Sequence, residues 1–212
     1  MLEVLKNTTY RHLFLAQVIA LIGTGLITIA LALQAYDIAK EQAAQVLGIA
    51  LAIKMIAYIS VAPIASAFAE RLPRKKVLVG LDVIRALTAL CLPFVTQIWQ
   101  IYILIFILQS ASAAFTPTFQ AMIPDVLPIE EEYTNALSLS RLAYDLENII
   151  SPMLAGLLLT VMSYHNLFLG TVVGFIGSAL FVVSAKLPNA KMPEFIGVYN
   201  RIKQGAKIYF RT

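Results

Sequence analysis

The sequence predicts an all-α membrane protein with six transmembrane helices. The chain is 59% hydrophobic and only 13% charged, and its mean hydropathy is +0.80. Apolar stretches long enough to cross a bilayer recur six times along its 212 residues. A soluble domain averages about 45–50% apolar and about 25% charged residues. The composition therefore argues against a soluble globular enzyme, and equally against disorder, which needs low hydrophobicity and high net charge.

A membrane-crossing helix needs about 20 predominantly apolar residues. Six stretches satisfy this: 13–36, 44–68, 77–96, 98–121, 136–162 and 167–185. They leave room for short connections and for no separate soluble domain. The first follows Lys6 and Arg11 and resembles a secretory leader in that respect, but its apolar run exceeds the 7–15 residues of a leader core. It is read as a retained helix. Pro63 and Pro117 are expected to kink the second and fourth spans. Trp99 with Tyr102 reads as an interfacial anchor. Pro124 and Pro128 are expected to break the chain between spans four and five, where Asp125 and Glu130–Glu132 make the connection acidic. The segment 193–212 places Phe195, Val198, Ile202, Ala206 and Phe210 at near-helical spacing, with Arg201, Lys203 and Lys207 between them. It reads as a basic amphipathic helix on the membrane surface, linking two membrane halves.

Charge placement sets the orientation. With six spans both termini share one side. That side carries Lys6, Arg11, Arg71, Arg74, Lys75, Lys76, Lys186 and the basic residues of the tail, whereas the opposite side carries Lys40 alone. The positive-inside rule places both termini in the cytoplasm, and the membrane expected is the cell's inner (plasma) membrane. The formal charge of +4 is thus a topology signal, and nucleic acid is not an expected partner. The lone Cys91 excludes an internal disulfide and a cysteine-based metal centre. Phosphate-loop, zinc-protease and hydrolase-elbow motifs are absent from the sequence, so no enzyme, cofactor or metal is expected.

Between spans two and three, Ser66-Ala-Phe-Ala-Glu70-Arg71-Leu-Pro73-Arg74-Lys75-Lys76 resembles the loop signature G-x-L-A-D-R-x-G-R-K of the major facilitator superfamily. Ser66 and Pro73 replace its glycines and Glu70 its aspartate. Leu5–Phe14, Asp82-Val-Ile-Arg85-Ala86, Ala114–Pro124 and Asn135–Arg141 are similar to segments of the family's drug- and siderophore-exporting branch. Ser151-Pro152-Met-Leu-Ala155-Gly156 looks like its antiporter motif G-P-x-x-G-G, with small residues at two glycine positions. Order and spacing over residues 1 to 190 make the combination more specific than any one motif. The resemblance implies a twelve-helix transporter of two halves, each built from two inverted three-helix repeats. Residues 1–190 would be the N-terminal half, and residues 191–212 the start of a cytoplasmic central loop.

Ionisable residues inside a membrane are costly and face a bundle interior or a wet cavity. Arg141, Asp145 and Asn148 fall at i, i+4 and i+7 on span five, with Pro152 at i+11. Glu147 faces elsewhere, and Lys54 lies at comparable depth on span two, about 15 Å from its outer end. Asp145, Glu147, Arg141 and Lys54 are the candidates for proton coupling, against the alternative of structural ion pairs. Asp82 and Arg85, at i and i+3, are read as structural partners of the basic loop, with Arg85 reaching toward the interface. Gln17, Thr24 and Thr28 form a polar stripe on span one, which lines the cavity in the resembled fold; helix–helix hydrogen bonding is the alternative. Ser151, Pro152, Ala155 and Gly156 combine a helix bend with close packing. Tyr58, Phe115 and Phe119 either stack on an apolar solute or simply pack.

The function implied is proton-coupled efflux of an amphipathic small molecule: a drug, a macrolide or a siderophore-like solute. The expected partners are the lipid bilayer, the solute, protons and a second six-helix half, supplied by the same gene, a separate chain or a second copy. The alternative is a six-helix protein that does not transport, a truncated remnant or a partner subunit.

Overall fold

The computed structural model describes residues 2–69 and 72–186, and the basic amphipathic segment expected at 193–212 lies outside them, as do Glu70 and Arg71. Six long helices alternate in direction among the described residues: α1 (Thr8–Ala39), α2 (Ala43–Ala69), α3 (Arg74–Cys91), α4 (Ile98–Val126), α5 (Glu130–Leu159) and α6 (Tyr164–Ser184). α1 and α2 are joined by a tight turn in which Lys40 takes a left-handed φ of 49°. A single 3₁₀ turn, Leu92–Phe94, follows α3.

The helix ends follow from local chemistry. Asn7 accepts from the amides of Thr9 and Tyr10 and caps α1. The Gln100 side chain accepts from the amides of Thr96 and Gln97 at the start of α4. Glu130, Glu131 and Glu132 occupy the first turn of α5, where the helix dipole favours negative charge. Pro124 does not end α4, which runs on to Val126 and carries Asp125 within it. A proline in the last turn removes one backbone bond without stopping the helix, and the break falls at 127–129, beside Pro128.

α1 packs against α5 and α6, α4 packs against α2 and α3, and α3 meets α6. Exchanging α1 with α4, α2 with α5 and α3 with α6 leaves this pattern unchanged. Because the helices alternate in direction, that exchange inverts each three-helix set, as inverted repeats require. The α1–α6 contact is backbone-close. A β-carbon on Gly23 would lie 3.3 Å from the Thr171 carbonyl oxygen, and one on Gly174 would lie 3.2 Å from Gly23 Cα. Thr171 Oγ1 also donates to the Gly23 carbonyl at 2.9 Å. Small residues permit such approach and polar side chains lock it.

The outer faces are apolar. Leu169, Val173, Ile176, Leu180 and Val183 recur along the exposed side of α6, and α2 and α5 carry comparable exposed rows. Surfaces this apolar need lipid or protein cover, and the chain is a multi-pass membrane protein. One end of the bundle gathers the basic groups. There Arg74 pairs with Asp125 and donates to the Ala121 carbonyl, and Lys75 Nζ donates to the Ala185 carbonyl at the end of α6. Tyr10 ties α1 to the Ala136 carbonyl at the same end.

Candidate functional site

α1 and α4 stand at the back of a central cavity of about 300 Å³, flanked by α2 and α5 with Arg85 of α3 reaching in. No described α6 side chain lines it. The α1 stripe faces this space: Gln17, Thr24 and Thr28 all line it, because residues 7 and 11 apart return to one side of a helix. Gln17 is buried and exchanges two hydrogen bonds with Ser140 of α5, at 2.6 and 2.9 Å. Thr24 and Thr28 donate to carbonyls one turn back on their own helix, which leaves their oxygens as acceptors toward the cavity.

Arg85 departs from expectation. Its side chain does not reach the interface and is 3% exposed. The guanidinium pairs with the fully buried Asp82, which also accepts from Ser178 of α6 at 2.7 Å. It lies over two rings, 4.2 Å from the centroid of Phe115 and 4.6 Å from that of Phe175. An opposite charge and two aromatic faces replace most of the water the arginine loses, and its Nε is buried without a hydrogen-bond partner. Asp82 and Arg85 thus join α3, α4 and α6, and make no contact with the basic loop among the described partners. The basic end is held by Arg74 and Lys75 instead.

Of the four candidates for proton coupling, Lys54 and Glu147 line the cavity. They interact electrostatically without a direct ion pair. Arg141 and Asp145 lie outside it. They pair at 3.4 Å on an exposed face of α5, with side chains 80% and 58% exposed. Tyr58 and Phe115 line the cavity, while Phe119 stacks behind Phe115 in the core. Ser151 and Pro152 line it, Ala155 is fully buried in the core, and Gly156 faces open space. Gly25 of α1 sits against Ser151. A β-carbon there would run into Ser151 Cβ and Oγ and lie 3.1 Å from Glu147 Oε1. The Ser151 hydroxyl is buried without a hydrogen-bond partner. Ser66 lies exposed in the last turns of α2.

Sequence reasoning missed Thr116, Ser112 and Tyr144 as lining residues. Tyr144 and Thr116 join α5 to α4 through their hydroxyls at 3.0 Å. The signal was present: Tyr144, Glu147 and Ser151 recur at i, i+3 and i+7. A stripe drawn from Arg141 instead runs along the edge of that face and meets the cavity only at Asn148 and Pro152.

The cavity is amphipathic: a lysine, a glutamate and several hydroxyls share its wall with aromatic rings. Residues 13–203 match the sequence profile of the Major Facilitator Superfamily. Macrolide efflux protein A of Streptococcus pyogenes is 27% identical over 177 residues, covering 81% of this chain and 43% of that protein. Macrolide efflux protein A of Enterococcus faecalis is 28% identical over 131 residues, 59% of this chain and 40% of the relative. An uncharacterized MFS-type transporter of Bacillus subtilis is 28% identical over 123 residues, 58% of this chain and 28% of the relative. The chain spans less than half the length of these relatives.

Proposed function

Because the chain belongs to the Major Facilitator Superfamily, we propose that it forms the N-terminal half of an exporter that moves an amphipathic small molecule, a macrolide or similar drug, in exchange for protons. In this reading residues 1–190 are the six-helix half, and 191–212 begin the central loop to a second half. The basic end faces the cytoplasm, both termini included, and the protein resides in the plasma membrane. The observation that carries the proposal is the meeting of Lys54 and Glu147 in one cavity walled by aromatic and hydroxyl side chains from four helices.

Glu147 is the residue assigned to the proton. When ionised, it offsets the charge of Lys54. When protonated, it leaves that charge uncompensated and becomes a hydrogen-bond donor. Loading and releasing one proton therefore changes what the cavity offers a bound solute, which is the condition for coupling the two. Arg85 is already committed to Asp82 and two rings, and serves as a fixed wall.

The test is macrolide uptake into proteoliposomes with an imposed pH gradient. Glu147→Gln is expected to abolish acceleration by the gradient while solute exchange at equal pH persists. Asp145→Asn, altering a carboxylate outside the cavity, is expected to keep the response. A Glu147→Gln protein that still follows the gradient would contradict the assignment.

A further inference from the structure

An apolar groove of about 250 Å³ lies between α1 and α5, beside the central cavity. It runs from the middle of the bundle toward the basic end, where Phe14 and Leu139 wall it. Leu142, Leu146 and Ile150 form its α5 rim and are exposed on the outside of the bundle. A rim this apolar opens onto lipid rather than water. Two contacts pin α1 to α5 along this stretch. Gln17 exchanges hydrogen bonds with Ser140, and Gly25 packs directly against Ser151. Between the pins lie about 12 Å of α1 and about 16 Å of α5. No hydrogen bond or ion pair joins the two helices there among the described residues.

Leu21 and Glu147 fill the interval between the pins, and each lines both the groove and the central cavity. Ser151 also lines both, but it belongs to the far pin. The wall between the two spaces is therefore one side chain thick. Leu21 is 8% exposed, yet it joins none of the three apolar clusters that form the core. With space on both sides, it can change rotamer without opening a packed core.

We propose that Leu21 gates a side opening through which a neutral, apolar-bodied solute dissolved in the membrane enters the central cavity. The groove leads to this gate from the basic end, so the solute comes from the cytoplasmic leaflet in the orientation proposed above. The occupant follows from continuity: the groove has an apolar rim toward lipid and shares its inner wall with the cavity. A molecule already partitioned into lipid reaches the gate without crossing water. The inference deepens the proposed function by giving the solute's route, and rests on that reading of the cavity as the solute site.

The experiment measures thiol labelling at Thr24→Cys, a cavity position outside the groove, with Cys91 changed to serine. It uses open fragments of the native membrane and two reagents, lipid-dissolved pyrenylmaleimide and a water-soluble sulfonated maleimide. Leu21→Trp is expected to slow the pyrenyl reagent about tenfold, because a bulkier gate must be forced from a packed wall, and to leave the sulfonated reagent unchanged. Ala143→Trp, which fills the groove and does not line the cavity, is expected to do the same. Leu21→Ala is expected to speed the pyrenyl reagent alone, and keeps the test open if a tryptophan variant fails to fold. Pyrenyl labelling unchanged by all three variants would overturn the gate. Equal slowing of both reagents by Leu21→Trp, with no effect of Ala143→Trp, would also overturn it, since that pattern reports crowding at Thr24. Either failure leaves the coupling role of Glu147 standing, because that role is read from the pH-gradient response.

Discussion

Replacing Asp82 by alanine is expected to destabilise the bundle by about 3–5 kcal/mol, because it strands a buried arginine without its counter-charge. Arg85 is 3% exposed, and rings lie on it at 4.2 and 4.6 Å. The same change removes the acceptor of Ser178 on α6, so α3, α4 and α6 loosen at one point. Changing both partners, Asp82→Ala with Arg85→Met, is expected to recover most of the loss, since a buried pair replaced by apolar groups is often neutral or stabilising. Thermal unfolding of the purified protein in detergent measures each step. A single mutant as stable as wild type, or a double mutant no better than the single, would show that Arg85 is not held as described.

Gly25→Ala is expected to force α1 and α5 apart. The new methyl would meet Ser151 Cβ and Oγ, and Cβ cannot swing aside as a flexible side chain can. Overpacking of this kind costs about 1–3 kcal/mol. It also displaces Glu147, whose Oε1 lies 3.1 Å from the added carbon, so transport is expected to fall together with stability. Two controls separate the contact from general effects of glycine. Gly156→Ala meets open space and is expected to gain up to about 1 kcal/mol from helix propensity. Gly25→Ala combined with Ser151→Gly removes the collision and is expected to restore much of the loss. Equal tolerance of alanine at both glycines would mean that α1 and α5 do not approach as the structure places them.

The membrane class, the six helices and the basic end were legible in the sequence because each rests on a local count: apolar length, helical period and cation placement. The Gln17–Thr24–Thr28 stripe pointed at the cavity for the same reason. Arg85 was not legible. Its depth in the sequence suits a side chain reaching the interface, and only the packing of Phe115 and Phe175 around it, from two other helices, shows that it stays inside. The α5 face was misjudged by about one residue's rotation. Arg141 and Asp145 attract attention as charges, yet they satisfy each other on the outer face. The residues that face inward include a tyrosine and a serine, which carry no such signal. Pro124 was over-read for a related reason: a proline's effect depends on how near it stands to a helix end that the sequence does not mark.

The cavity between α1, α2, α4 and α5 is proposed to receive the solute. The most direct test is protection from thiol labelling, with Cys91 first changed to serine because it is free and exposed. Thr28→Cys places a thiol on the cavity wall, and Leu169→Cys places one on the outer face of α6. A macrolide is expected to slow labelling at position 28 with a saturable concentration dependence and to leave position 169 unaffected. Equal labelling at position 28 with and without saturating macrolide, in protein that still transports it, would show that the solute does not enter this cavity.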